Sequence, residues 1–330
     1  MMELTGLPAI SAPLPWHAQL WARFNQQLCE ERLPHALLLA GIAHTGASRL
    51  ALALARLLLC KQPSGGLNCG KCHACELSAT GAHGDFLWLQ PEEKSRVIKI
   101  DQVRTAVEMA YKTASFGKRK LIVLSPADAM NRSAANALLK SLEEPSPGTH
   151  LILTCSQVHA IPATLRSRCQ LVKLPTPTAG ASLEWLDQLT GERETSQQLL
   201  DLADGLPMLA QAMFQQPDDE NLHSARLACR GLYSGRVSPE KTISLLASAS
   251  VSDTLEQLIT ATQGFLKEQD MAALQSEAGH GAFALLDELG RIRAAVEGGA
   301  NPNAQLLAEV LVRKVQQILG AQPGSVSIGA

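Results

Sequence analysis

Residues 37–60 read LLLA, GIAHTGAS, RLALALARLLLC. Leu37–Ala40 is a short apolar run that predicts a strand buried on both faces, and Arg49–Cys60 has the composition of a buried helix. Between them, Gly41-Ile-Ala-His-Thr-Gly46-Ala47-Ser48 fits the phosphate-loop pattern G-x-x-x-x-G-K-[ST], with Ala47 where the lysine belongs. Gly41 and Gly46 can still shape a nest of backbone N–H groups at a helix N-terminus, and Ser48 keeps the hydroxyl that would hold Mg²⁺. The fixed cation that reaches the β- and γ-phosphates is missing. Arg49 does not replace it, because one residue further round a helix its side chain leaves about 100° away.

The strand signal repeats along the first half, at Phe86–Leu89, Leu121–Leu124, Leu151–Thr154 and Gln170–Leu174. Helical patterns lie between these runs. Val103, Ala106, Val107 and Ala110 share one face over 101–111, with Asp101 placed to cap, and Ala135, Leu138, Leu139 and Leu142 share one over 133–144 before Pro145. Such alternation predicts a parallel α/β sheet with its functional loops at the strands' C-terminal ends. After Pro175 the pattern is helical: three short helices to about 217, longer ones from 218, and a Pro-Gly-Ser-rich tail from 322 that reads as frayed.

A second loss concerns the acids an ATPase of this type needs after the third strand to hold Mg²⁺ and polarise water. Leu121–Leu124 leads instead into Ser125-Pro126-Ala127-Asp128, and Asp128 lies too far along to be a replacement. The loop therefore either survives as a nest or merely turns a strand into a helix, and both readings predict no hydrolysis.

The chain has 330 residues, 29 basic and 31 acidic side chains, 46% hydrophobic and 4% aromatic residues. That length predicts two or three domains with cores of Leu and Ala. The near-zero net charge excludes a globally basic nucleic-acid coat, leaving room for a local basic face. One lies between Lys94 and Lys140, where ten basic residues accompany Asp101, Glu108 and Asp128 as acids. Without a signal sequence or membrane-length apolar run, a soluble cytoplasmic protein is expected.

Four of the eight cysteines, Cys60, Cys69, Cys72 and Cys75, are spaced C-x8-C-x2-C-x2-C. Four thiolates suit a closed tetrahedral zinc site that is structural, since no position is open for water. Lys61, Lys71 and His73 would soften its net charge of about −2. The competing readings are a redox pair, unliganded core cysteines, and His73 as a ligand in a tight turn.

Asn136-Ala-Leu-Leu-Lys-Ser-Leu-Glu-Glu-Pro145 and Leu165-Arg-Ser-Arg168-Cys169 carry a resemblance. Through them the chain resembles, end to end, the AAA+ subunits of bacterial DNA polymerase III clamp loaders, and within that family the delta-prime type, whose nucleotide motifs have decayed. The resemblance implies an AAA+ α/β domain over 1–175 with a zinc module inserted at about 60–84, a helical lid over 176–217, and a helical collar over 218–330 for assembly. It implies that Arg168 is an arginine finger for the neighbouring subunit's ATP, where a guanidinium fork suits phosphate oxygens. A local carboxylate partner is the plainer alternative. Thr154 matches the first sensor, and Met208 stands where the second sensor's arginine is expected, leaving Gly41, Gly46, Ser48 and Thr154 as a vestigial nucleotide site.

The implied partners are the motor (gamma/tau) and delta subunits, the sliding clamp through the assembled loader, and primer–template DNA within the ring of a nucleoid-associated replisome. The chain alone is then not an enzyme. Two rival functions are an active ATPase with His44 or Arg49 in place of the lysine, and a nucleic-acid-binding zinc protein.

Overall fold

The computed structural model describes residues 7–92, 95, 97–215, 220–297 and 299–320. Lys94, Arg96 and the tail from 322 lie outside the described residues. The chain divides into two compact units. One runs to Gly191 and takes in Leu206–Met208; the other comprises Glu192–Gly205 and the chain from Leu209 on.

In the first unit, helix α1 (Ala18–Cys29) precedes strand β1 (Ala36–Ala40) and helix α2 (Ala47–Leu59). Then come α3 (His73–Ala79), β2 (Phe86–Leu89), α4 (Ile100–Tyr111), β3 (Lys120–Leu124), α5 (Arg132–Glu143), β4 (Thr149–Cys155), α6 (Ala163–Arg166), β5 (Gln170–Lys173) and α7 (Ala179–Thr190). The five strands are parallel in the order β2-β3-β4-β1-β5. Each run foreseen as a strand is one, shifted by no more than two residues at either end.

Side chains alternate between two apolar layers because successive strand residues point to opposite faces. Leu38, Ile122, Leu124, Leu151 and Leu153 pack with Val103 and Ala106 of α4 and with Leu138 and Leu142 of α5. Leu37, Leu39, Leu121, Val123 and Ile152 pack with Phe24 of α1 and with Leu50, Leu54 and Leu57 of α2. Full burial of each such leucine is worth about 1.5–3 kcal/mol.

Two local readings are corrected. Lys99, rather than Asp101, is the N-cap of α4, with the Gln102 side chain accepting from the Lys99 N–H at 2.9 Å. His73 opens the helix α3 instead of sitting in a turn. Helix α1 and helix α3 went unforeseen, the latter because zinc-type cysteine spacing reads as loop.

The second unit is helical: α8 (Arg193–Leu202), α9 (Pro207–Gln215, opening in the first unit), α10 (Glu220–Tyr233), α11 (Pro239–Ser248), α12 (Val251–Glu268), α13 (Met271–Leu274), α14 (Glu277–Glu297) and α15 (Ala304–Gly320). Its core joins α10, α12, α14 and α15 through Leu232, Leu258, Leu285, Leu289 and Leu311.

Candidate functional site

The sequence points to two sites, one at each end of α2. At its N-terminus, Gly46 adopts φ 99°, in the left-handed region that glycine tolerates, and a Cβ there would lie 2.1 Å from Leu14 Cδ1. The loop is thus closed over by the preceding segment, where the Trp16 indole N–H donates to Thr45 O at 2.8 Å. His17 is fully buried beside Gly46 with both ring nitrogens unpartnered. Burial pushes its pKa down to about 4, so it is neutral.

Where an active site would carry a magnesium-binding hydroxyl, an acid and a sensor, three hydroxyls form a chain. Thr154 Oγ1 donates to Ser125 Oγ at 2.8 Å, and Ser125 Oγ lies 2.8 Å from Ser48 Oγ. The structure thus brings Ser48, Ser125 and Thr154 together without any charge among them. Asp128 is turned elsewhere, accepting from the backbone N–H of Ser156 and Gln157 and from the Ser156 hydroxyl. The Arg49 guanidinium lies over the Trp185 ring, 5.8 Å from its centroid. Met208 meets the loop through its backbone, N–H to His44 O at 3.1 Å.

At the other end of α2, Cys60, Cys69, Cys72 and Cys75 bring their sulfurs within 4.8 Å of one another, and the cluster can hold a metal ion. Cys60–Cys72 and Cys69–Cys75 lie 3.9 and 4.0 Å apart, near the edge of about 3.8 Å that four sulfurs at 2.3 Å around one tetrahedral ion would have. All four are free thiols. His73 is excluded as a ligand: it points outward, Nδ1 3.9 Å from Glu76 and ring edge-on to Phe116.

The Cys69 backbone N–H donates to Cys60 Sγ and the Asn68 amide to Cys75 Sγ. Burial works to raise the Cys72 pKa, yet the backbone N–H groups of Lys61 and Cys75, with neighbouring thiols, bring it to about 6. Burial dominates at Cys60 and pushes it up to about 12.

Sequence reading missed Arg56, which merely interrupts an apolar run. It is fully buried, and its five N–H donors meet five acceptors: Ser78 Oγ, Pro8 O, Ser11 Oγ, Ala9 O and Cys75 O. Asn68 braces the same segment, accepting from Ser11 N–H at 2.8 Å and donating to Ala9 O at 2.9 Å. A buried guanidinium beside the four cysteines would supply counter-charge to metal-bound thiolates that the surface lysines cannot, and Cys75 and Cys60 in turn oppose the loss of its charge through burial.

Arg168 follows α6 and leads into the start of β5. Since β5 runs parallel to β1, with Leu37 opposite Gln170, the start of β5 that Arg168 leads into lies about a strand's length (~13 Å) from the Gly41 loop, at the opposite end of β1. Its Nε donates to Glu143 Oε1 at 2.8 Å, its Nη2 pairs with the same carboxylate, and Nη1 donates to Thr164 O at 2.7 Å. The local carboxylate partner foreseen as the plainer alternative is therefore present. The basic stretch is likewise partly engaged: Lys99 with Glu92, Arg104 with Asp101, and the buried Lys120 with the carbonyls of Ala110 and Lys112.

A family model described as DNA polymerase III, delta subunit, matches residues 16–178. DNA polymerase III subunit delta' of Yersinia pestis is 33% identical over 314 residues, 92% of this chain and 90% of that protein. The subunit delta' of Pseudomonas aeruginosa is 43% identical over 204 residues, 61% of each chain, and that of Escherichia coli K12 36% identical over 199 residues, 60% of this chain and 59% of that one. In these two the matched length is thus less than two thirds of the relative. Among solved structures, a DNA polymerase III, gamma subunit-related protein from Thermotoga maritima has a TM-score of 0.53 at 18% identity, covering 90% of this chain and 99% of that one. That likeness is one of fold. Among the described residues no helix is long and apolar enough to cross a membrane.

Proposed function

The chain belongs to the DNA polymerase III subunit delta' family, and from that membership we propose that it is the non-hydrolysing subunit of a clamp loader, lending Arg168 to the ATP site of a neighbouring motor subunit. In this reading it assembles with motor (gamma/tau) and delta subunits through the helical unit. The loader opens the sliding clamp, and ATP hydrolysis on primed DNA releases the clamp closed. The three-part division into α/β domain, lid over 176–217 and collar over 218–330 belongs to the same proposal, as does zinc as the resident metal. Residues Cys60, Cys69, Cys72 and Cys75 would hold it; a tetrathiolate zinc supplies folding energy and no open position for chemistry.

The observation that carries the proposal is the separation of two functions across the sheet. The chain's own loop has Ala47 at the lysine position, and its Ser48 hydroxyl faces neutral Ser125 where an acid would help hold Mg²⁺. Arg168 leads into β5 at the opposite end of β1, too far to serve that loop, with its side chain 34% exposed. The Glu143 pair does not prevent transfer of the guanidinium to a triphosphate. A half-exposed ion pair is worth about 0–1 kcal/mol, whereas a triphosphate offers more negative charge and bidentate oxygens. Glu143 instead holds the fork extended until a neighbour arrives.

Arg168→Ala is expected to leave folding and assembly intact and to slow the motor site it completes by about a thousandfold, an arginine finger being worth 10³–10⁵ in turnover. Arg168→Lys is expected not to rescue it, lacking the planar fork. The measurement is phosphate release by the reconstituted loader with clamp and primed DNA, site by site in mixed assemblies. Unchanged turnover removes the finger; turnover by the isolated chain removes the non-hydrolysing role.

A further inference from the structure

Beside the cysteine module a cleft of about 340 Å³ opens, lined among others by Leu59, Lys61, His83, Phe116, Lys118 and Arg119. It lies where α2 ends and β3 begins, at the β2–β3 end of the sheet, whereas Arg168 is next to β5 on the far side. Nothing in the proposed function uses it.

The cleft is preorganised around one aromatic ring. Asp85 is buried and spends both carboxylate oxygens on the loop that carries the ring, accepting from Ser115 N–H and Phe116 N–H at 2.7 Å each. The Phe116 ring is held between His83 and His73, with centroids 5.4 and 5.9 Å away, and it lies against Gly84, where a Cβ would come within 3.1 Å. The residue nevertheless stays 39% exposed, an unusual fate for a phenylalanine that is fixed this firmly.

Cations flank it. Lys61 and Lys118 are exposed, and among the described residues neither ammonium is taken by a carboxylate. Arg119 donates to Leu58 O at 3.4 Å, covering a carbonyl at the negative end of α2 that would otherwise repel an anion. Of the described acids, Asp85 is occupied as described and Glu76 is turned to His73. His83 is buried and accepts from Asp85 N–H through Nδ1. A held, half-exposed ring between free ammonium groups matches how single-stranded nucleic acid is bound, with bases stacked on aromatics and phosphates on lysines.

We propose that this cleft binds one nucleotide unit of a single-stranded nucleic acid, its base on Phe116 and the flanking phosphates on Lys61 and Lys118. The volume suits a single nucleotide, and the two lysines come from different segments of the cleft wall, one after α2 and one before β3. An acidic peptide would use the lysines and leave the ring without a role.

The test is fluorescence anisotropy of labelled (dT)10 with the full-length, metal-loaded chain at low salt. Phe116→Ala is expected to weaken binding about fivefold or more, the low end of one base–aromatic stack, and Phe116→Trp to retain it. Lys61→Ala with Lys118→Ala is expected to weaken binding and to make the log–log salt dependence shallower by about 1.4, two phosphates' worth for a single strand. Lys241→Ala with Lys267→Ala, the same change in net charge on the helical unit, is expected to do neither. Binding that ignores the Phe116 and Lys61/Lys118 variants, equal competition by a poly-glutamate peptide or by free dTMP, or no binding at all would each overturn the proposal. Circular dichroism of every variant separates loss of the site from loss of fold.

Discussion

The two ends of helix α2 have kept different things. At Gly46–Ser48 the packing of a phosphate-type loop is present without its lysine: Leu14 fills the space against Gly46, Trp16 and Met208 bind the loop's carbonyls, and the hydroxyls of Ser48, Ser125 and Thr154 form a neutral chain. At Cys60 the polar chemistry is complete, from four facing thiols to a guanidinium with five acceptors. A loop buried by its neighbours contributes to the core whether or not it binds a ligand. A module of some twenty residues cannot bury enough apolar surface to stand alone, so a metal held by its four thiols would supply folding energy.

The comparison breaks most visibly if the metal is dispensable. Removal by chelator, or Cys75→Ser, is expected to lower the thermal midpoint by about 10 °C or more, with one equivalent of zinc recovered from the intact chain. A metal-free chain with an unchanged midpoint would reduce the cluster to four buried cysteines.

Arg56 offers a sharper cut, because it separates the brace from the metal. Arg56→Leu takes the guanidinium donor from Pro8 O and from the Ser11 and Ser78 hydroxyls, while Ala9 O keeps Asn68 and Cys75 O keeps the Ser78 hydroxyl, at a cost of roughly 3–5 kcal/mol in urea unfolding. Arg56→Lys is expected to recover little of this, since three donors on one nitrogen cannot meet five acceptors arrayed around a plane.

The smallest effect belongs to the emptied end. His17 is held neutral with a pKa near 4, against 6.5 when unfolded. Between pH 6.5 and about 4 the unfolded chain takes up a proton that the folded chain refuses. Stability therefore falls as pH falls through that window, by up to about 3 kcal/mol, and is unaffected above it. Burial lowers His83 and His150 as well, so part of the slope survives in His17→Leu. That variant is expected to flatten the acid limb while costing little at pH 7, because neither ring nitrogen has a partner to lose. An unchanged acid limb would mean that His17 is solvated and the loop open.

Legibility followed the physical range of each feature. Strand runs such as Leu121–Leu124 and helix faces such as Leu138 and Leu142 announce themselves because burial repeats at fixed spacing along the chain. The cysteine set was readable for the same reason, as ligands of one ion must be near in sequence or in space, and these are both. Arg56 was not, because its five acceptors come from residues 8–11 and 75–78. Phe116 was silent too: a lone phenylalanine carries no pattern, and only Asp85, thirty residues earlier, fixes its loop.

For this protein the order of strands and helices, the loss of the phosphate-loop cation and the four-thiol ligand set were written in local spacing, which acts over a few residues and needs no fold to be read. What the fold alone decided was juxtaposition. It put Ser48, Ser125 and Thr154 in one hydroxyl chain, set Arg168 beside Glu143 and across the sheet from its own loop, and enclosed a guanidinium beside the thiols. These depend on parallel strand register and on which helix covers which face, set by burying the whole apolar surface at once rather than by any one segment.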